Sequence, residues 1–312
     1  MRNVFFERLY ELAREDPRII LILSDTGGFF CEKFIQKLKK QFLNVGIAEH
    51  NMIGIAAGLA QTGKIPVVFN IVPFATLRCY EQIRIDLCCM NLSVAIAGVG
   101  AGFDYNLLGA THHGLEDIAV MRGLPGMTVL SPSDDTMTKV MVDYCIRKDG
   151  PKYLRLDRTG MPLIYSANNE FNIERGFNVL RKGKNICIIS TGRMVITALR
   201  LSEVLSRHSI NAGVIDLFKI KPIRENLLCN VLSRYKYIVT LEEHFITGGL
   251  GSAVLEVLSK HAQNVRVLTF GIPDRFCRVY GDRAYLQKKN CLDLESLKRR
   301  ILKETNLLYC SS

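Results

Sequence analysis

The chain has 312 residues, 48% hydrophobic and 23% charged, a balance that excludes a disordered, fibrous or disulfide-stapled chain and sets a prior of two globular domains. Its 41 Lys and Arg against 30 Asp and Glu leave a formal charge of +11, which suits nucleic acid, an acidic partner or phosphorylated small molecules without choosing among them. Its longest apolar runs, such as Ile19 to Leu23 and Ile65 to Phe69, are far shorter than the ~20 residues of a membrane span, and ten scattered cysteines with no CxxC pair fit reduced thiols in a cytoplasm.

Met1 to Asp16 interleaves charges with apolar residues, which predicts a first helix in place of the continuous apolar run of a secretory leader. Short apolar runs then read as strands at Ile19–Ser24, Val67–Ile71, Leu92–Gly98, Thr128–Ser131 and Tyr153–Leu156. Between them, helical periodicity covers Asn51–Gln61, Leu77–Met90, Gly114–Arg122 and Asp134–Lys148, the last opened by the N-cap signal Ser133-Asp134-Asp135. The polar stretch Tyr165–Asn172 interrupts the alternation. A second series follows: strands at Asn185–Ser190, Ala212–Asp216, Tyr237–Glu242 and Val265–Phe270, and helices at Met194–Arg207, Ile223–Ser233, 249–261 and Leu294–Thr305. Strand-helix alternation implies the α/β class, two domains with largely parallel sheets flanked by helices. The expected division is 1–165, a linker over 166–180, and 181–312.

Asn44-Val45-Gly46-Ile47-Ala48-Glu49-His50-Asn51 places Glu49 at the start of a helix rich in Gly and Ala. Taken alone, an acid in a first turn is a dipole-stabilising placement contributing ~0.3–1 kcal/mol. The run Gly98-Val99-Gly100-Ala101-Gly102 lacks the spacing and the acidic residue of a dinucleotide site.

Four segments in order carry a resemblance. Gly46-Ile47-Ala48-Glu49-His50, Phe74-Ala75-Thr76-Leu77-Arg78-Cys79-Tyr80-Glu81-Gln82, Gly109-Ala110-Thr111-His112-His113-Gly114, and Leu241-Glu242-Glu243-His244 with Gly248-Gly249-Leu250-Gly251 together resemble the thiamine-diphosphate enzymes of the transketolase and deoxyxylulose-phosphate synthase group. The match covers their pyrimidine-binding and carboxy-terminal domains, over nearly the whole chain. The resemblance implies that Glu49 hydrogen-bonds N1′ of the cofactor's aminopyrimidine and promotes the tautomer that takes the proton from the thiazolium carbon. It implies that Phe74 stacks on that ring, with Arg78 and Asp25 also on the cofactor side, Asp25 at a strand's carboxyl end. His112 is similar to the family's substrate-contacting histidine. Arg158 and Arg2 lie where the family binds a substrate phosphate, for which a guanidinium supplies a planar two-point contact. Without the resemblance, Phe74 reads equally well as a core aromatic, Arg158 as an ion-pair partner of Asp157, and Arg2 as a solvated terminal residue.

Two departures matter. Leu108 stands where transketolases usually carry an Asp that reads a substrate hydroxyl, leaving Asp104 or Asn106 as substitutes. The chain also has no Gly-Asp-Gly with a downstream Asn, the family's Mg²⁺ and diphosphate signature, and Gly281-Asp282-Arg283 does not supply it. No metal ligand is therefore expected on this chain. The resemblance then implies the carboxy-terminal subunit of a split transketolase, a transferase moving a two-carbon ketol unit from a ketose to an aldose, with Mg²⁺ held by a separate amino-terminal subunit in a heterotetramer and no nucleic-acid or membrane partner. The β subunit of a 2-oxoacid dehydrogenase E1 and a non-catalytic basic α/β binding protein are the alternatives.

Overall fold

The computed structural model describes residues 1–26, 28–166 and 171–305. The first helix, Arg2–Glu15, buries Phe5, Phe6, Leu9, Leu12 and Ala13, a 3.6-residue stripe that lays it on the sheet behind it. Among the described residues twelve strands follow: β1 Ile19–Leu23, β2 Phe42–Asn44, β3 Ile65–Ile71, β4 Ala95–Val99, β5 Thr128–Leu130, β6 Lys152–Leu156, β7 Phe177–Arg181, β8 Ile186–Ser190, β9 Ala212–Leu217, β10 Lys219–Lys221, β11 Tyr237–Phe245 and β12 Arg266–Ile272. They form a seven-stranded sheet in the order β10-β5-β6-β4-β3-β1-β2 and a five-stranded sheet in the order β12-β11-β8-β9-β7. Pairing is parallel except for β10 on β5 and β7 on β9. The fold is the expected α/β class with helices on both faces. β1 and β4 are buried along their whole length, which is why they read as continuous apolar runs and not as alternating ones.

The structure differs from the sequence reading in several places, among them the added helix Arg283–Lys289. β2 and the helix Glu32–Lys37 are additions to it, because β2 is a largely exposed edge strand with no apolar pattern. The second sheet begins at Phe177, inside the stretch read as linker, since Phe177 sinks into that sheet's core; positions 167–170 lie outside the described residues. β10 comes from the second half of the chain yet closes the first sheet, so the two domains share a seam. The single helix expected over Leu77–Met90 is divided into Tyr80–Gln82 and a wide-turn segment, Ile83–Cys89, with a short helix, Val72–Thr76, before it. Among the described residues no helix is long and apolar enough to cross a membrane.

Candidate functional site

Glu49 opens the helix Glu49–Gln61. Gly46, at φ +72°, turns the chain from β2 into it in a conformation glycine adopts without steric cost. The Glu49 side chain is 4% exposed and accepts from Arg78 Nη1 at 2.7 Å and from Asn70 Nδ2 at 3.3 Å. Asn70, fully buried near the end of β3, in turn accepts from the Thr26 hydroxyl at 3.0 Å. A chain of polar contacts therefore runs from the end of β1 through β3 to the first turn of this helix.

Phe74 lies half-buried in the short helix after β3, and the Arg78 guanidinium covers its ring at 4.0 Å. His112 meets the Phe74 ring edge-on at 5.2 Å. His112 Nδ1 is 2.9 Å from the Thr111 hydroxyl, and burial together with the nearby Arg78 charge lowers its pKa, favouring the neutral imidazole. His113 is turned away: it is buried, its Nε2 faces the Asn106 carbonyl, and its ring packs on Phe103. Of the two adjacent histidines only His112 faces the Phe74 cluster.

Arg158 follows β6. Its backbone N–H donates to Asp104 and its guanidinium lies 4.8 Å over the Tyr105 ring. Arg2 stacks on Phe30 at 3.5 Å, and burial, helped by the neighbouring Arg158 charge, lowers its pKa. Arg2, Thr26, Phe30, Val99 and Tyr105 line one cavity of about 300 Å³. The Tyr105 ring also approaches His112, at 5.9 Å. Six of the seven candidate residues thus fall into two groups, Glu49 with Phe74, Arg78 and His112, and Arg2 with Arg158, joined through Tyr105. Asp25 is exposed just after β1, in a left-handed backbone conformation at φ 52°. Among the described residues no side-chain contact ties it to either group.

The structure also commits the acids near Arg158. Asp157 pairs with Arg193 at 3.1 Å and with Arg283, not with Arg158. Asp104 is buried between the Arg158 backbone and Arg283, and Asn106 accepts from the Leu107 N–H at 2.7 Å. Of the two residues considered as stand-ins at the Leu108 position, Asp104 is thus engaged within the protein, while among the described residues the half-exposed Asn106 makes only this local side-chain contact. Tyr105, Asn70 and Thr26 carry no motif that marks them in the sequence. For Tyr105 the available signal is the glycine run: a Cβ on Gly100, which sits at φ +96°, would overlap the Tyr105 ring, so that glycine makes the notch in which the ring lies.

A buried acid, a cation-covered aromatic ring and a histidine thus gather at the strand ends of the first of two α/β sheets, the edge at which open α/β sheets take ligands. Residues 1–162 match the transketolase pyrimidine-binding domain and residues 176–294 the transketolase carboxy-terminal domain. The chain is 33% identical to an apulose-4-phosphate transketolase subunit of Actinobacillus succinogenes, over 95% of this chain and 96% of that one. It is 34% identical to the 6-deoxy-6-sulfo-D-fructose transketolase subunit SqwH of a Clostridium species, over 96% and 92%. A solved split-gene transketolase, described as an inactive beta4 tetramer, superposes with a TM-score of 0.85 at 35% identity, covering 97% of this chain and 96% of that chain. The chain belongs to the transketolase family, as a transferase made of its pyrimidine-binding and carboxy-terminal domains.

Proposed function

We propose that this chain is the carboxy-terminal subunit of a heterotetrameric, thiamine-diphosphate-dependent transketolase that moves a two-carbon ketol unit from a phosphorylated ketose to an aldose, in the cytoplasm. The observation that carries the reading is the buried Glu49 beside a Phe74 ring already covered by a flat cation. A planar, nitrogen-bearing heterocycle satisfies the same two partners as the Arg78 guanidinium, an aromatic face and a carboxylate, so the residues fit the pyrimidine end of the cofactor. When bound, thiamine diphosphate supplies a nucleophilic carbon that takes up the donor carbonyl and lets the adjacent carbon-carbon bond break.

This chain's part is to hold and move protons. Glu49 shares a proton with the pyrimidine N1′, in a site where low exposure strengthens the bond. His112, kept neutral, meets the substrate oxygens as a hydrogen-bond partner or proton carrier. Arg158 and Arg2 bind the terminal anion, whose contacts orient the reacting end. The names of the two relatives above, one with a phosphate and one with a sulfo group on its sugar, support an anion-terminated substrate. The chain carries no Gly-Asp-Gly sequence, so Mg²⁺ and the diphosphate fall to an amino-terminal subunit. The nine described cysteines are all free thiols, in keeping with a reducing compartment. Assaying ketol transfer by the purified chain alone and after mixing with that subunit tests the proposal: activity should appear only in the mixture, and robust turnover by the single chain would refute it.

A further inference from the structure

The second domain contributes none of the candidate site residues, yet one of its side chains reaches the wall that carries Arg158 and Tyr105. Arg283 opens the helix Arg283–Lys289, whose start is capped by Asp282 accepting from Tyr285 N at 2.7 Å. Its guanidinium gathers three carboxylates. Nε donates to both Glu243 oxygens at 3.1 and 3.0 Å, Nη2 donates to the Ala101 carbonyl at 3.2 Å, and Nη1 pairs with Asp157 and lies 3.5 Å from Asp104. These three carboxylates are each less than a tenth exposed.

Each of these partners fixes a piece of the substrate wall. Asp157 immediately precedes Arg158. Asp104 immediately precedes Tyr105 and also accepts from the Arg158 backbone N–H. Glu243 accepts from Phe103 N at 3.0 Å, and a Cβ on Gly102 would collide with its carboxylate, so that glycine admits the cross-domain contact. Gln287 holds the other Glu243 oxygen at 2.6 Å. The loop 100–105 and the corner 157–158 come from different strands, β4 and β6; beside the direct Asp104–Arg158 backbone contact, Arg283 joins the two by binding a carboxylate on each. A guanidinium can do this because its five donors lie in one rigid plane. A lysine would keep the charge but not the simultaneous geometry.

We infer that Arg283 is a positioning residue that, from the second domain, sets the place of Arg158 and Tyr105 and thereby the grip on the substrate's terminal anion. The inference rests on the reading of Arg158 given above. Its test is a double-mutant cycle in the assembled two-subunit enzyme, with Arg283→Lys, Arg158→Ala and the pair, assayed on a ketose phosphate and on the same ketose without phosphate. Arg283→Lys should raise KM for the phosphorylated donor about 5- to 20-fold, leave kcat within about twofold, and barely affect the unphosphorylated donor. Added to Arg158→Ala it should cost little more. Factors that multiply in the pair, or an Arg283→Lys loss equal on both donors while Arg158→Ala discriminates between them, would overturn the inference and make Arg283 a fold-holding residue only. Arg158→Ala acting equally on both donors would instead refute the phosphate reading, and the coupling between the two arginines would still decide the positioning role. Should Arg283→Lys not fold, Glu243→Gln loosens the same anchor while leaving the Asp157 contact, and the same cycle applies.

Discussion

The two sheets are built alike and use the same edge for opposite purposes. In the first, the carboxyl ends of β1, β3, β4 and β6 lead to Thr26, Asn70, the loop carrying Tyr105, and Arg158, and Thr26 and Tyr105 line a cavity there. In the second, the residues at the corresponding ends, Ser190, Asp216, Glu242, Glu243 and His244, are all 3% exposed or less. They are spent on contacts within the protein. Asp216 accepts from Ser133 and from the Tyr165 hydroxyl across the seam, His244 Nε2 accepts from Ala119 N at 3.3 Å, and Glu242 takes the Leu250 and Gly251 N–H groups at 2.6 and 2.8 Å at a helix start. Burial pushes the Glu242 carboxyl up to about 8 and the His244 imidazole down to about 4. The polar strand-end groups of the second sheet are thus committed to contacts within the protein, and the Glu242 and His244 shifts follow from that burial.

That contrast can be broken from either side. The largest effect is expected on the open edge: Glu49→Gln, which keeps size but cannot pass a proton, should slow exchange of the thiazolium C2 proton in the assembled enzyme by about 10²- to 10⁴-fold, followed by NMR, with the unfolding midpoint of the chain little changed. An exchange rate equal to wild type would take Glu49 out of the chemistry. On the covered side, Asp117 is 1% exposed and accepts from the Tyr153 hydroxyl and Arg155 Nε, both at 2.7 Å, while Arg155 also donates to the Glu243 carbonyl at 3.1 Å. Asp117→Ala strands a buried cation and should cost about 3–5 kcal/mol in urea unfolding. Replacing Arg155 with Met in the same chain should recover part of that loss.

A smaller effect, about 1.5–3 kcal/mol or roughly 10- to 150-fold in KM for a phosphorylated donor, is expected for Arg158→Ala through loss of a charge-assisted contact; the dephosphorylated donor serves as the control. The smallest concerns pH at the seam. Burial, only partly offset by the Ser133 and Tyr165 hydroxyls, raises the Asp216 pKa from 3.8 to about 7. The folded chain then binds a proton that the unfolded chain has released, so this group's contribution to stability is full below pH 3.8 and is lost as pH rises toward 7. Asp216→Asn should flatten that part of the stability profile between about pH 4 and 7 in denaturant titrations, and an unchanged slope would place the pH dependence elsewhere.

Much of this is legible along the chain, for identifiable reasons. Strands such as β1 and β4 are buried on both faces and so announce themselves as apolar runs, and Asp134 caps the helix Asp135–Arg147 through Met137 N at 2.8 Å, as its local sequence indicates. Glu49, Phe74, Arg78 and His112 lie in short motifs, which the structure brings together from three separate segments. β2 and β10 are not legible, because an exposed edge strand and a three-residue crossover carry no pattern of their own.

What the sequence by itself determined is the α/β class, the order of the elements and the types of side chain available at each strand end, since these depend on local periodicity and turn chemistry. Only the tertiary structure decided that Asp104 and Asp157 meet Arg283, and that Tyr105 lies between Arg158 and His112. The reason is physical: a carboxylate's partner is chosen by which opposite charge folding brings within a few ångströms under burial, and Arg283 is separated from Asp157 by 126 positions along the chain, a distance no local pattern spans.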